Sequence, residues 1–593
     1  MRTRNILTAA VAALICTAAF AIPASPVPFT AVQPDGTTII LQRHGDEFFH
    51  WTTLAGSSQV MAKDKDGWWR PSTLDFEART KAAARRRSAN AERQYRTHTD
   101  NKMTHGERHI PVFLVQFKDL SFTISSPAEK FDALLNQQGY SANGGTGSVR
   151  DFYMDNSDGQ FQPIFDVYGP VDLPNNMAYY GKNDSNGNDA RPEEALIHAA
   201  KALDSVVDFS QYDYDNDGFV DMALFYYAGY NEAEHGPEDS IWPHQWNAQY
   251  VSLGRTSYFD GKRLAAYFCT SELKDNSGTS MCGIGTTCHE FGHSLGLPDF
   301  YDTDYAANGQ AGGLYYFSTM DSGAYLNEGR TPPFFNAEER IILGWMTEED
   351  VPILPRGEVS FPSIRYGITY KSLTDVEGEY FLYECRDATG WDKYLPAGLV
   401  IYHVDKSTVR KVGGITPYQQ WANWESYNSI NANGSHPCFY VIPAANPTSL
   451  YYTSYNLKDF VFPGSKNKTA YTPIDWNKAD TGIDISGISY SAGDKIVYLT
   501  TKYKNEPIGS FREMGFNAIA DPGNGVYAAG DGFFPELELA DGEQPSSVSW
   551  TFDGNGLSGN GEVTLTAGKH TIVAVLTFAN GTVETLELVI EAK

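Results

Sequence analysis

The sequence predicts an α/β (more broadly α+β) catalytic domain built on a metal-binding helix, with a β unit before it and two all-β sandwich domains after it. Three observations carry that expectation. In Cys288-His289-Glu290-Phe291-Gly292-His293 two histidines stand four residues apart, which puts both on one face of a helix. Upstream, the apolar run from His109 to Phe117 reads as a buried strand, with a helix to follow at Ala128–Gln137. Downstream, alternating segments at Tyr380–Glu384, Gly398–Val404, Cys438–Ile442 and Lys495–Thr501 read as half-buried strands.

The histidine pair decides the chemistry. On one helical face both imidazoles reach a single ion, and the spacing suits zinc, which takes imidazole nitrogen at about 2.0–2.1 Å and keeps one position open in catalytic sites. Glu290 sits beside them as a base for a water molecule. Gly296 comes where the helix must stop, because it tolerates positive φ. The turn brings Asp299 round as the third ligand. The extended motif followed by Ser318-Thr319-Met320-Asp321 matches the metzincin pattern of a zinc helix and a methionine turn, with Met320 as that methionine. Cys288 has a structural role, since the ligand set is complete without it.

The stretch from His289 through Asp299 to Phe300-Tyr301-Asp302 resembles the signature of the immune inhibitor A-like (M6) family of secreted metalloproteases. Ile241-Trp242-Pro243-His244 and Ile342-Leu343-Gly344-Trp345 resemble further segments of that family, and the likeness runs from about Pro28 to Lys502. It implies a zinc endopeptidase with a metzincin-like catalytic domain, made as a zymogen behind an N-terminal propeptide, and it makes Asp299 the natural third ligand.

At 593 residues the chain is too long for one core, so three or four domains are expected. The formal net charge of −28 argues against nucleic acid or an anionic membrane as partner. Arg2, Arg4, the apolar run Ile6–Phe20 and Ala19-Phe20-Ala21 read as a signal peptide cut after Ala21, and no later stretch is apolar enough to cross a bilayer. A secreted or cell-surface monomer acting on protein or peptide substrates is the expectation. Export leaves Cys269, Cys282, Cys288, Cys385 and Cys438, an odd number, so at least one thiol stays free or pairs between chains.

The expected order is signal peptide 1–21, β propeptide 22–73, linker and activation segment 74–107, catalytic domain 108–350, β-sandwich 351–503 and an immunoglobulin-like domain 504–593. Arg85-Arg86-Arg87 is a candidate activation point, and His44-Gly45-Asp46-Glu47-Phe48-Phe49-His50 reads as a strand with polar residues outward rather than as an acidic element that blocks the metal. Tyr212-Asp213-Tyr214-Asp215-Asn216-Asp217-Gly218-Phe219-Val220-Asp221 alternates acids before a glycine turn. It reads as a shortened structural calcium loop using Asp213, Asp215, Asp217 and Asp221, because Leu224 stands where a full loop places Glu. His244 marks a cleft edge or core and is not assigned to the metal. Tyr301 and Tyr325 are oxyanion candidates for which packing is the plainer role. The expected reaction is peptide hydrolysis with Glu290 as general base. Its rivals are a non-catalytic adhesin or glycan-binding protein with a vestigial zinc site, and a zinc hydrolase of non-peptide amides.

Overall fold

The computed structural model describes residues 22–83, 103–184, 187–305, 308–504, 509–516, 526–530, 532–539, 545–557, 563–578 and 583–593. The expected signal peptide and Arg85-Arg86-Arg87 lie outside these residues. Contacts divide the chain into two units: residues 1–353, 361–469 and 489–497 form one, and 354–360, 470–488 and 498–593 the other.

The first unit opens with an antiparallel meander: β1 (Phe29–Val32), β2 (Thr38–Gly45), β3 (His50–Leu54), β4 (Val60–Lys63) and β5 (Trp69–Pro71) pair in chain order. Gly45 makes the β2–β3 turn possible at φ 100°, and the Asp46 carboxylate accepts the N–H groups of Phe48 and Phe49 there.

A second five-stranded sheet follows, with β6 (Gly106–Gln116), β7 (Phe161–Asp172), β8 (Ala223–Tyr230), β9 (His244–Asn247) and β10 (Ala266–Leu273) in the order β9-β10-β8-β6-β7. Only edge strand β9 runs antiparallel to its neighbour. Ile110 to Val115 are all buried, the uninterrupted apolar run of a strand covered on both faces. On one face Val112 and Leu114 join the core of helices α1 (Pro127–Asn136) and α2 (Val149–Asn156) with Phe291. On the other, Phe113 and Val115 pack with Leu196 and Ala200 of α3 (Pro192–Leu203). The strict alternation of a strand thus sorts one sequence between two cores.

Helix α4 (Gly285–Leu295) lies on the first face, and all eleven of its residues are buried. It ends as expected: Gly296 takes φ 112°, and the Leu297 N–H caps Gly292 O at 2.9 Å. Beyond α5 (Ala337–Ile342), four antiparallel strands, β11 (Thr369–Leu373), β12 (Glu379–Arg386), β13 (Gly398–Asp405) and β14 (Phe439–Val441), pair in chain order. Between β13 and β14 the chain makes an excursion through α6 (Pro417–Ala422) and α7 (Trp424–Tyr427).

The second unit includes a five-stranded sheet whose long strands are Ser547–Phe552, Gly568–Thr577 and Val583–Ala592, and a three-stranded sheet of Gly509–Phe516, Gly532–Leu539 and Val563–Thr564. Trp550, Leu565, Ile572, Leu576 and Ile590 fill its core. The protein is therefore a mixed α/β molecule with several sheets. Among the described residues no helix is long and apolar enough to cross a membrane, and Cys269, Cys282, Cys288, Cys385 and Cys438 are all free thiols in buried positions.

Candidate metal centre

The helical period sets His289 and His293 one turn apart, and the bend after Gly296 returns Asp299 to them. The two Nε2 atoms are 3.1 Å apart, and each is 3.3 Å from Asp299 Oδ1. Each ring is oriented through its other nitrogen: His289 Nδ1 donates to Thr319 O at 2.8 Å and His293 Nδ1 to Leu297 O at 2.7 Å. That tautomer leaves both Nε2 lone pairs facing inward.

Asp299 Oδ1 is buried and accepts no hydrogen bond. Three electron-pair donors on buried side chains, turned on one point, fit one divalent cation. A tetrahedral zinc with bonds of about 2.0–2.1 Å needs donors roughly 3.3 Å apart. Burial pushes the His289 imidazole down, toward the neutral form a metal ligand needs.

Met320 lies beneath this cluster, fully buried, and a Cβ added to Gly292 would meet its Sδ at 2.7 Å. The glycine between the two histidines thus leaves the space into which the Met320 side chain fits. His244 is not part of the centre: Nδ1 faces Trp242 O at 2.6 Å and Nε2 faces the Tyr267 hydroxyl at 2.9 Å.

Glu290 is fully buried, and burial pushes its carboxyl well above the ordinary range, opposed by the backbone N–H groups of Ile22 and Gln245. The Ile22 N–H donates to Glu290 Oε1 at 2.7 Å. Trp242 Nε1 donates to Ile22 O at 3.0 Å, the Tyr325 hydroxyl to Pro23 O at 2.6 Å, and Ser25 N to Ala233 O at 3.0 Å. The Ile22 side chain is buried with Ala233, Trp242 and Ala324. Residues 22–25 therefore lie against Glu290, with the Ile22 and Pro23 carbonyls held by an indole and a phenol. Of the two tyrosines singled out in the sequence, Tyr325 reaches a peptide carbonyl in this way, and Tyr301 is buried beside Tyr305.

The acidic loop closes differently. Carboxylates of Asp213, Asp215 and Asp221 converge, and Asp217 stands outside that group with Oδ1 accepting the Phe219 N–H. Asp213 accepts the N–H groups of Asp217 and Gly218, and Lys262 Nζ lies 2.6 Å from its Oδ2.

Sequence reasoning missed three participants. Ile22 lies on Glu290, Trp424 stacks on His293 with centroids 6.2 Å apart, and Asn428 Nδ2 donates to Asp299 Oδ2 at 2.6 Å. Two signals were at hand: Trp242 belongs to the aromatic segment read as a cleft edge, and Ile22 directly follows the expected cleavage point. None marks Asn428.

A buried glutamate beside a histidine–histidine–aspartate cluster defines the class, a candidate metal centre with an adjoining carboxylate. Residues 124–340 match the family described as immune inhibitor A peptidase M6, catalytic domain. Immune inhibitor A of Bacillus thuringiensis subsp. alesti is 30% identical over 222 residues, covering 32% of this chain and 31% of that protein. The pre-pro-metalloprotease PrtV of Vibrio cholerae serotype O1 is 27% identical over 261 residues, covering 38% of this chain and 28% of that protein. Over residues 124–340 the chain is thus similar to the catalytic domain of the M6, immune inhibitor A, peptidase family. It spans about a third of the length of these relatives. A crystal structure of OgpA from Akkermansia muciniphila aligns over 82% of this chain and 93% of that one at 10% identity, but with a TM-score of 0.22, and carries no argument.

Proposed function

We propose that the protein is a secreted zinc endopeptidase of extracellular proteins, made as a zymogen, with Glu290 as general base. The observation that carries this is the convergence of His289 Nε2, His293 Nε2 and Asp299 Oδ1 within 3.3 Å, beside a buried glutamate that already holds a peptide N–H. His289, His293 and Asp299 would hold the zinc, which when bound supplies Lewis-acid polarisation of the scissile carbonyl and a lowered pKa for water. Glu290 takes the proton of the attacking water and passes it to the leaving nitrogen. The Ile22 nitrogen, 2.7 Å from Oε1, stands where such a leaving nitrogen would. Trp242 and Tyr325 donate to carbonyls of the chain in the cleft and so orient a substrate backbone.

The same contacts support latency. Residues 22–25 lie across the base, so the N-terminal β unit acts as a propeptide and must leave before a substrate can enter. Cleavage after Ala21, expected from the sequence, would turn the Ile22 nitrogen into an α-amine facing Glu290. Calcium is left out of the reading, because the Lys262 ammonium already meets Asp213 and Asp217 stands apart. A vestigial site in an adhesin is disfavoured by the intact ligand set and base.

The test is a zinc count and casein hydrolysis by the processed protein beside Glu290→Ala. One zinc per chain in both, with hydrolysis lowered by about 10²–10⁴ in the variant, is expected. Equal activity in the two would reject the assigned base.

A further inference from the structure

The third ligand is held by chain that lies outside the matched catalytic domain. Asn428 makes two hydrogen bonds to one residue: its Nδ2 donates to Asp299 Oδ2 at 2.6 Å and its Oδ1 accepts the Asp299 N–H at 3.2 Å. Donor meets acceptor in both, so the amide has one orientation. Asn428 is 2% exposed and adopts φ 41°, ψ 51°, the left-handed region in which asparagine is tolerated. It caps α7, with its N–H on Trp424 O at 2.6 Å, and its carbonyl accepts the Thr303 hydroxyl. Three residues on, Asn431 Nδ2 donates to Phe300 O at 2.7 Å and to Phe439 O at 2.6 Å. The excursion is itself anchored, since Trp421 Nε1 donates to Asp405 O at 2.9 Å.

We propose, resting on the zinc reading above, that Asn428 is the positioning residue for Asp299, occupying Oδ2 so that the carboxylate offers the ion Oδ1 alone. Oδ1 is the oxygen equidistant from both imidazoles, and Oδ2 is the one the amide holds. A ligating carboxylate fixed in this way cannot rotate to bind through both oxygens, which keeps the coordination number low and a position open for water. The metal centre is therefore completed only when the α6–α7 excursion of the following β region has folded.

The test uses the full chain carrying Asn428→Gly, Asn428→Asp or Asp299→Ala. Glycine accepts the left-handed backbone, so the first variant removes the amide without strain; the second keeps the shape and replaces the donor with a like charge. Zinc affinity is read by competition with a chromophoric chelator, and the coordination sphere by the visible absorption of the cobalt-substituted protein. The expected result is a 10- to 100-fold weaker zinc affinity in both Asn428 variants, about the cost of losing such a partner, with an altered cobalt spectrum and a zinc-free Asn428→Gly protein that still unfolds in one cooperative transition. Affinity and spectrum unchanged in Asn428→Gly, while Asp299→Ala loses zinc, would overturn the positioning role and leave the ligand set standing. An Asp299→Ala protein that binds zinc like the parent would overturn both.

Discussion

The backbone N–H of Ile22 donates to Glu290 Oε1 at 2.7 Å across 268 residues of sequence. On the proposed reading of Glu290 as the base, this contact keeps it from a substrate. The intact chain is therefore expected to hydrolyse casein at least about tenfold more slowly than the chain cleaved within residues 74–107, since substrate binds only the fraction with an open cleft. Rates measured before and after limited proteolysis check this, and equal rates would contradict it.

What seats the N-terminal unit is a buried ion pair. Arg43 Nη1 reaches Glu232 O at 2.8 Å and Oε1 at 3.3 Å, and His50 and Asn183 share the same carboxylate. Removing one partner of such a pair costs about 3–5 kcal/mol. Arg43→Ala should give an unprocessed chain with measurable basal hydrolysis and faster proteolysis between the N-terminal unit and the sheet that follows it. A silent, protease-resistant variant would show that the pair does not hold the unit.

Gly292 and Met320 form a second close relationship. Gly292→Ala puts a methyl carbon 2.7 Å from a fully buried sulfur, so the Met320 side chain, the turn that carries it or the histidine helix must shift. Overpacking of this kind costs about 1–3 kcal/mol. The expected outcome is a lower thermal midpoint together with weaker zinc retention on dialysis, because Thr319 O orients His289 from the neighbouring position. Unchanged zinc retention would detach the methionine turn from the metal centre.

Asp321 gives a pH prediction. Burial pushes its carboxyl up to about 7, against the N–H groups of Ser322, Tyr315 and Leu314, from an ordinary 3.8. The folded protein then holds a proton that the unfolded chain releases, so the contribution to stability is complete below about pH 4 and is lost as pH rises to about 7, by at most ~1.4 kcal/mol per pH unit crossed. In Asp321→Asn that slope should vanish, so the variant gains relative to the parent between pH 5 and pH 7.5. Parallel curves of thermal midpoint against pH would contradict the shift.

What the sequence made legible was local. The helical period alone paired His289 with His293, Gly296 marked the stop, and the run from His109 to Phe117 announced a strand buried on both faces. Asp299 was reachable because it lies one bend beyond the helix. Asn428 was not, because its partner is 129 residues away and an asparagine capping a short helix looks like any turn residue. Ile22 was hidden for the same reason, its partner lying far along the chain. In the acidic loop, alternate spacing suggested four converging carboxylates, but backbone N–H groups and Lys262 took up much of that charge and turned Asp217 aside.

Diffraction recorded on crystals of the protein at and below the zinc absorption edge tests the central claim most directly. One anomalous peak is expected, within about 2.0–2.2 Å of His289 Nε2, His293 Nε2 and Asp299 Oδ1. No peak there, or a zinc peak held by other side chains, would contradict it.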